Sequence, residues 1–256
     1  MTVVETQTRG EVTIRDLSKT FAINGETLTV LKGINLDISG GESIAIVGAS
    51  GSGKTTLLRV LAGLEEPDDG GVLIDGAPVH GLGRDRSVIF QEPRLLPWLT
   101  VLGNVAFALE VQGVPAHEAK ERARRYIRLV GLGEFESAWP RQLSGGMAQR
   151  VGIARALTVQ PEILLLDEPL GALDAMTKIT MQEELSRIWA EEEVTMVLVT
   201  HDLEEAIFLA DRVLVLPKTK GAAIRLIDID LPRPRDRNEA RFVTFRQQLM
   251  AEFGLH

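Results

Sequence analysis

The sequence predicts an α/β fold in which a mainly parallel β-sheet is flanked by helices. An apolar run at residues 44–47 leads into a glycine-rich turn, and apolar residues at helical spacing follow the turn. Two more strand-sized apolar runs, at 163–166 and 194–199, end in polar residues and precede helical patterns. Strands that alternate with helices in this way are typical of a parallel sheet.

Residues 11–47 predict a run of strands ahead of the glycine-rich turn. Apolar and polar residues alternate, and the turn residues Asn24-Gly25 and Gly40-Gly41 separate the runs. We therefore expect an N-terminal β subdomain that is partly antiparallel. Phe21 ends the first strand, where it could pack against the core or stack on the ring of a ligand.

Residues 48–55 have the pattern G-x-x-x-x-G-K-T, which predicts a phosphate-binding loop (P-loop). Glycines let backbone N–H groups converge on an anion, and the helix N-terminus behind them adds partial positive charge. Lys54 can reach the β- and γ-phosphates of a nucleotide, and the Thr55 hydroxyl can bind Mg²⁺. The apolar residues expected on the helix that follows are Leu57, Leu58, Leu61 and Leu64.

The segment that follows this helix predicts two short strands and a rigid apolar loop. The strands, near 72–74 and 87–90, are expected to pair, and Gln91 follows the second. The loop at 92–98, E-P-R-L-L-P-W, combines two prolines, two leucines and a tryptophan. It could fold onto the core of the protein or dock against another protein, and its composition favours docking.

Residues 103–131 predict helix, with an apolar stripe on one face and basic residues on the others. A solvated basic face is commoner than a nucleic-acid or lipid surface, and we favour it here. Further on, Ser144 is placed to cap a helix whose first turn holds Gly145 and Gly146, each costing about 1 kcal/mol relative to alanine. A cap alone does not require these glycines, whereas close approach of a phosphate explains them.

Polar residues follow both of the later apolar strands. Asp167 could hold Mg²⁺ through water, and Glu168 could orient or deprotonate an attacking water. His201 follows the next strand, at the edge where α/β folds form ligand sites, although a lone histidine there is more often structural. Asp202 and Glu205 then predict a capping box. The helix between these strands is expected to turn Ile179, Leu185, Ile188 and Trp189 inward.

Composition narrows the class of protein. The chain has 256 residues, a net charge of −8 and no cysteine. The acidic balance argues against nucleic acid as the main partner, and the lack of cysteine excludes disulfides and thiolate metal sites. The apolar runs are too short for a membrane span and the first twelve residues do not predict a signal peptide, so we expect a soluble, cytoplasmic chain.

In this order, the motifs resemble those of the ATP-binding-cassette (ABC) ATPases across nearly the whole chain. The signature L-S-G-G-M separates this family from other P-loop proteins, and its fifth residue is Met147, where Gln is commonest. The matching segments are 48–55 (Walker A), Gln91 (Q-loop), 143–147 (signature), 163–168 (Walker B), 171–174 (D-loop) and His201 (H-loop). The resemblance implies one nucleotide-binding domain at 1–256, with a P-loop NTPase core, an inserted helical subdomain at about 92–158 and a C-terminal extension at 231–256.

The resemblance also implies a site shared by two chains in a head-to-tail homodimer with bound ATP. Glu168 would act as general base, His201 would fix the γ-phosphate and the water, and Phe21 would stack on adenine. The implied nucleotide contacts are Phe21, Gly48, Ala49, Ser50, Gly51, Ser52, Gly53, Lys54, Thr55, Thr56, Ser144, Gly145, Gly146 and Asp174. Lys54 and Gln91 join Glu168 and His201 as catalytic residues, and the implied Mg²⁺ contacts are Thr55, Gln91 and, through water, Asp167.

The single cassette, with no membrane domain, predicts a stand-alone ATPase subunit of an importer. Residues 90–98 and 231–235 resemble the nitrate, taurine and aliphatic-sulfonate uptake group. The implied partners are membrane permease subunits and, indirectly, an extracytoplasmic binding protein, which would place the chain at the cytoplasmic face of the inner membrane. The alternative is a soluble ABC-type ATPase that acts on nucleic acid or ribosomes, and a non-enzymatic nucleotide sensor is a third option.

Overall fold

The computed structural model describes residues 9–253, except for residues 24, 172 and 220. Of residue 23 it describes the backbone only. Asn24 of the predicted turn, residue 172 of the predicted D-loop and both ends of the predicted domain therefore lie outside the described residues. The strands are β1 (Val12–Ile23), β2 (Glu26–Ile38), β3 (Ser43–Gly48), β4 (Asp69–Ile74), β5 (Ala77–Pro78), β6 (Arg86–Ile89), β7 (Ile163–Asp167), β8 (Thr195–Val199), β9 (Arg212–Leu216) and β10 (Arg225–Asp228). The α-helices are α1 (Lys54–Leu61), α2 (Val101–Val111), α3 (Ala116–Leu129), α4 (Gly145–Thr158), α5 (Ala175–Glu192), α6 (Leu203–Leu209) and α7 (Ala240–Glu252).

The strands form two sheets. One is antiparallel, in the order β2-β1-β4-β5, and confirms the predicted N-terminal β region. The other has the order β10-β9-β3-β8-β7-β6 and is parallel except for β10. Strands β3 and β8 are buried along their whole length, because helices or the other sheet cover both faces.

Alternate residues of β3 belong to different cores. Ile44 and Ile46 pack with α1 and the antiparallel sheet, whereas Ala45 and Val47 pack with the helices on the opposite face. This two-sided burial explains why the strand is an unbroken apolar run rather than an alternating one. Because β3, β6, β7 and β8 run parallel and in register, their carboxyl ends lie at one edge of the sheet. The P-loop and the residues after β6, β7 and β8 lie at this edge.

Two expectations about the middle of the chain are wrong. The predicted helix at 103–131 is two helices, α2 and α3, since Gly113 adopts φ +88° and Pro115 precedes α3. The two predicted strands after α1 do exist as β4 and β6, but they lie in different sheets and do not pair.

Two predictions about apolar helix residues are wrong. Leu64, expected on the helix after the P-loop, follows the end of α1 and is 45% exposed, while Leu57, Leu58 and Leu61 lie on α1 as predicted and are buried. Ile179 of α5 is 40% exposed, whereas Met181 occupies the core. In both cases the apolar residue lies beyond or beside the buried stripe of its helix.

The structure shows how the basic face of α3 and the apolar loop at 92–98 are arranged. The basic side chains of α3 form exposed or half-buried ion pairs, such as Arg122 with Glu118 and Arg124 with Glu136. In the loop at 92–98, Leu95 packs against the core, while Trp98 is 67% exposed. One side of the loop thus packs on the core, while its outer side is exposed, and docking of that outer side stays a prediction.

The helix caps predicted at Ser144 and Asp202 are confirmed, except for one half of the capping box at Asp202. The Ser144 hydroxyl accepts a hydrogen bond from the backbone N–H of Met147 and caps α4. Asp202 caps α6 through the N–H groups of Glu204 and Glu205. The reciprocal half of the predicted capping box is missing, because the Glu205 carboxylate binds Thr200 instead. None of the helices in the described part of the chain is long and apolar enough to cross a membrane.

Candidate active site

The carboxyl edge of the parallel sheet opens into a cavity of about 610 Å³. Loops after β3, β7 and β8 contribute to it, as the topology predicts for an α/β fold. Its lining residues are Phe21, Leu28, Val30, Ser50, Gly51, Gly53, Lys54, Thr55, Thr56, Glu168 and His201. Most of the residues predicted from the sequence to contact a nucleotide within one chain therefore share this cavity.

The P-loop wraps around the amino group of Lys54. Lys54 Nζ donates hydrogen bonds to the carbonyls of Gly48 at 2.9 Å and Ala49 at 3.4 Å, and the side chain is buried. Gly53 adopts φ +106°, and a Cβ there would lie 2.8 Å from Leu31 Cδ2, so only glycine fits. The loop is thus held in a curved form by its glycines and its own lysine, with a cation at its centre.

Thr55 and Asp167 bring two oxygen atoms together at the base of the cavity. The Thr55 hydroxyl donates to Asp167 Oδ1 at 3.1 Å. Burial raises the pKa of Asp167 above its ordinary value, although the hydrogen bond from Thr55 opposes the rise. A hydroxyl and a carboxylate fit Mg²⁺, which binds oxygen ligands, and a cation here would also favour the ionised form of Asp167.

Glu168 and His201 meet at the rim of the cavity. His201 Nδ1 lies 3.2 Å from Glu168 Oε2, and the imidazole is 63% exposed. Glu168 adopts φ +46°, in the left-handed region that costs a non-glycine residue roughly 1–2 kcal/mol. Its N–H donates to Val199 O, which anchors this conformation to β8. Strain of this kind is concentrated at functional sites.

The side of the cavity near the antiparallel sheet is apolar. Phe21 is half-buried, and its neighbours in the lining are Leu28 and Val30. The sequence analysis missed these two residues as site residues. Leu28 is the cross-strand partner of Phe21 in the β1–β2 hairpin, so the predicted turn at Asn24-Gly25 was the signal that could have found it.

Gln91 and the signature residues are not among the residues that line the cavity. Gln91 is exposed after β6, and a Cβ added at Gly171 would lie 3.5 Å from Gln91 Nε2 and 3.8 Å from Glu168 Oε2. Gln91 is therefore near Glu168. Ser144 and Gly145 are both exposed at the start of α4.

The two glycines of the signature differ in what surrounds them. A Cβ at Gly146 would lie 2.7 Å from Thr177 Cγ2 of α5, so close packing of two helices explains this glycine. Gly146 thus has a packing reason in addition to the predicted approach of a phosphate. A Cβ at Gly145 would meet nothing within 4 Å, so packing within the chain does not require that glycine.

Asp174 caps α5. Its carboxylate accepts hydrogen bonds from the N–H and the hydroxyl of Thr177, and these bonds hold the pKa of Asp174 below its usual value. The carboxylate is exposed and lies outside the cavity lining. Thr177 thus contacts both the residue that caps α5 and the signature helix.

Comparison with known proteins gives a consistent result. The family model for ABC transporters matches residues 31–171. An ABC transporter ATP-binding protein of Methanocaldococcus jannaschii is 48% identical over 93% of this chain and 89% of its own length. The nitrate import ATP-binding protein NrtD of Synechocystis sp. is 48% identical over 86% of this chain and 82% of its own length. The aliphatic sulfonates import ATP-binding protein SsuB 1 of Xanthomonas axonopodis pv. citri is 49% identical over 88% of this chain and 90% of its own length.

Solved structures that resemble this chain are also ABC transporter cassettes. The dimeric structure of a bacterial ABC transporter cassette superposes with a TM-score of 0.76 at 34% identity, covering 86% of this chain and 100% of the other. The same figures hold for a dimeric post-hydrolysis state of that cassette bound to ADP and Pi.

Proposed function

The chain belongs to the ABC transporter family, as an ATP-binding subunit that hydrolyses ATP, and from this premise we propose that it drives import through a separate membrane permease. In this role it lies at the cytoplasmic face of the inner membrane, held there by the permease. An extracytoplasmic binding protein delivers the substrate. The alternative, action on nucleic acid or ribosomes, is not favoured, since two of the relatives described above are named as import ATP-binding proteins.

The observation that carries the proposal is the single cavity that unites a P-loop lysine, an acidic residue and a histidine. Lys54, Glu168 and His201 all line it, and Asp167 adjoins it through Thr55. Phosphoryl transfer to water requires charge neutralisation, a positioned water and a base, and this set of residues supplies these in one place. Phe21, Leu28 and Val30 offer an apolar surface for the adenine ring.

Within this cavity each residue has a distinct proposed role. Lys54 and the P-loop N–H groups bind the phosphates. Thr55 and, through water, Asp167 would hold Mg²⁺, which would supply positive charge to neutralise the phosphates. Glu168 takes a proton from the attacking water, and His201 orients the γ-phosphate and Glu168. Gln91, close to Glu168, would be a further Mg²⁺ contact.

A second copy of the chain completes the site in this proposal. Ser144 and Gly145 are exposed, and Gly145 has free space around it, so the N-terminus of α4 can approach the γ-phosphate of a partner. Asp174, at the N-terminus of α5, contributes to the same interface. The helices between residues 92 and 158 then form a subdomain that carries the signature to the partner chain.

The proposed substrate is a small oxyanion of the nitrate, taurine or sulfonate type. Identity to the nitrate and sulfonate relatives is almost equal, at 48% and 49%, so the ATPase sequence does not discriminate between these substrates. We expect ATP hydrolysis by the chain, reconstituted with its permease in vesicles, to rise when a binding protein loaded with the transported anion is added. Measuring phosphate release against a panel of loaded binding proteins identifies the anion.

The control for this measurement is the same binding protein without its ligand. Stimulation by RNA, DNA or ribosomes, with no response to any loaded binding protein, would contradict the importer assignment and support the alternative.

The exposed side of the loop at 92–98 is the proposed docking surface for the permease. Trp98 is exposed, whereas Arg155 holds the loop to α4 through the carbonyls of Pro93 and Arg94. We expect Trp98→Gln to weaken association with the permease by about 2 kcal/mol or roughly 30-fold, since buried tryptophans are typical interface hot spots. Co-purification of the detergent-solubilised complex measures this change.

Leu82→Gln is the matched control, because Leu82 is also a strongly exposed apolar residue but lies outside the loop. Trp98→Gln should leave the melting temperature and the ATP affinity of the isolated chain unchanged. Undiminished co-purification of Trp98→Gln, or an equal loss with Leu82→Gln, argues against this docking surface.

A further inference from the structure

A partly buried group of charged and polar residues flanks His201 and takes no part in the cavity lining. It consists of Lys178, Thr200, Asp202 and Glu205, here called the Lys178 cluster. Lys178 Nζ donates to Asp202 Oδ2 at 2.7 Å and lies 3.2 Å from Glu205 Oε2. Thr200 and Glu205 are each only 2% exposed. The proposed hydrolysis mechanism gives these four residues no role.

The cluster fixes the backbone on both sides of His201. The Thr200 hydroxyl donates to Glu205 Oε2 at 3.0 Å and accepts from the N–H of Asp202 at 3.0 Å. Asp202 in turn binds the first N–H groups of α6. Because the imidazole of His201 is largely exposed, packing around its ring does little to hold it. Its position therefore depends on the backbone at its two neighbours and on the contact of Nδ1 with Glu168 Oε2 at 3.2 Å.

Lys178 connects this segment to the start of α5. It lies one turn after Asp174, whose carbonyl accepts a hydrogen bond from Lys178 N at 2.8 Å. Asp174 is exposed and, in the proposed function, faces the partner chain. One lysine therefore touches both the helix that begins at the proposed interface and the residues that flank His201.

One cation, Lys178, serves two carboxylates in the cluster. Burial raises the pKa of Glu205, and the charge of Lys178 opposes the rise. Burial also acts to raise the pKa of Asp202, but the hydrogen bond and charge of Lys178, together with the hydrogen bonds from the first N–H groups of α6, outweigh it and the net pKa is lowered. Without the lysine, Glu205 would be a buried carboxylate without a compensating cation. Lys178 is thus the residue on which the geometry of the cluster depends.

We propose that Lys178 is a positioning residue that ties the Asp174 end of α5 to His201, so that pairing of two chains at Asp174 aligns His201 with the γ-phosphate. This inference rests on the proposed function for the role of His201, but the placement of His201 by Lys178 can be tested independently. Lys178 itself contacts neither nucleotide nor water in this proposal.

The first test compares the kinetics of Lys178→Met with those of the unmodified full-length chain. We expect kcat for ATP hydrolysis to fall by about tenfold while KM for ATP stays within about twofold, because a misplaced group affects the transition state more than nucleotide binding. Lys178→Arg, which keeps the charge, should restore most of kcat. Lys120→Met, on the exposed face of α3, is the control for loss of a surface lysine. An unchanged kcat for Lys178→Met overturns the inference.

A second variant separates positioning from stability. Lys178→Met alone should lower the melting temperature, and Lys178→Met/Glu205→Gln, which removes both charges, should recover it. We expect the double variant to keep the low kcat, since the tie to Asp202 is still missing. Recovery of kcat together with the melting temperature would show that the cluster serves stability alone, and the inference would then be wrong.

The third readout does not depend on ATP hydrolysis. The chain has four histidines, so the imidazole NMR signals of His201 can be assigned by comparison with His201→Gln. Lys178→Met should shift or broaden the His201 signals and leave those of His80 and His117 unchanged. Unchanged His201 signals overturn the inference. If His201→Gln hydrolyses ATP normally while Lys178→Met still moves the His201 signals, the proposed catalytic role of His201 fails and its placement by Lys178 stands.

Discussion

Glu168→Gln is expected to abolish ATP turnover and to leave ATP binding intact. A carboxamide cannot accept a proton from water, and loss of a general base lowers kcat by about 100-fold or more. The substitution preserves side-chain volume and can keep the 3.2 Å contact with His201 Nδ1. Lys54 and the P-loop are unchanged, so the nucleotide should still bind. Phosphate release measures turnover, and binding of a fluorescent ATP analogue measures affinity.

A further consequence is that Glu168→Gln should accumulate as a dimer with ATP bound, because the step that separates the chains is blocked. Size-exclusion chromatography with and without ATP detects this species. Glu134→Gln makes the same chemical change at an exposed position and is the matched control. Hydrolysis by Glu168→Gln at the normal rate would exclude Glu168 as the base, and the left-handed backbone at φ +46° would then need another explanation.

Much of the fold could be predicted because the central strands are buried on both faces. In β3, β7 and β8, a short apolar run leads into residues proposed for the site, and the pattern is visible in the sequence alone. The order of the strands in the sheet is not visible in this way. It depends on contacts between distant segments, such as β3 with β8 and β9, and no local pattern encodes them.

The differences between the prediction and the structure have two kinds of origin. The break between α2 and α3 was signalled by Gly113 and Pro115, but the helical periodicity on either side hid it. By contrast, the packing reason for Gly146 is Thr177 on another helix, which periodicity cannot reveal. Lys178 belongs to no sequence motif, and only the packing of α5 against α6 shows its contacts with Asp202 and Glu205.

The second prediction with a large expected effect is that ATP brings Ser50 of one chain next to Ser144 of another. The chain has no cysteine, so Ser50→Cys and Ser144→Cys each introduce a single thiol, both at exposed positions. We expect a short thiol-reactive cross-linker to join the two variants, mixed in the Glu168→Gln background, only when ATP is present. Tags of different length on the two variants identify the mixed product by gel electrophoresis.

Either variant alone should give little product, because in a symmetric head-to-tail pair Ser50 of one chain faces Ser144 of the other and not a second Ser50. Addition of Lys54→Ala to both variants should prevent formation of the cross-linked product even with ATP, because this substitution weakens nucleotide binding. A doubly substituted chain that cross-links within itself as a monomer, at the same rate without ATP, would place the signature beside the P-loop of its own chain. In that case Gly145 could no longer be explained by approach to a partner's γ-phosphate, and the site would have to be complete in one chain.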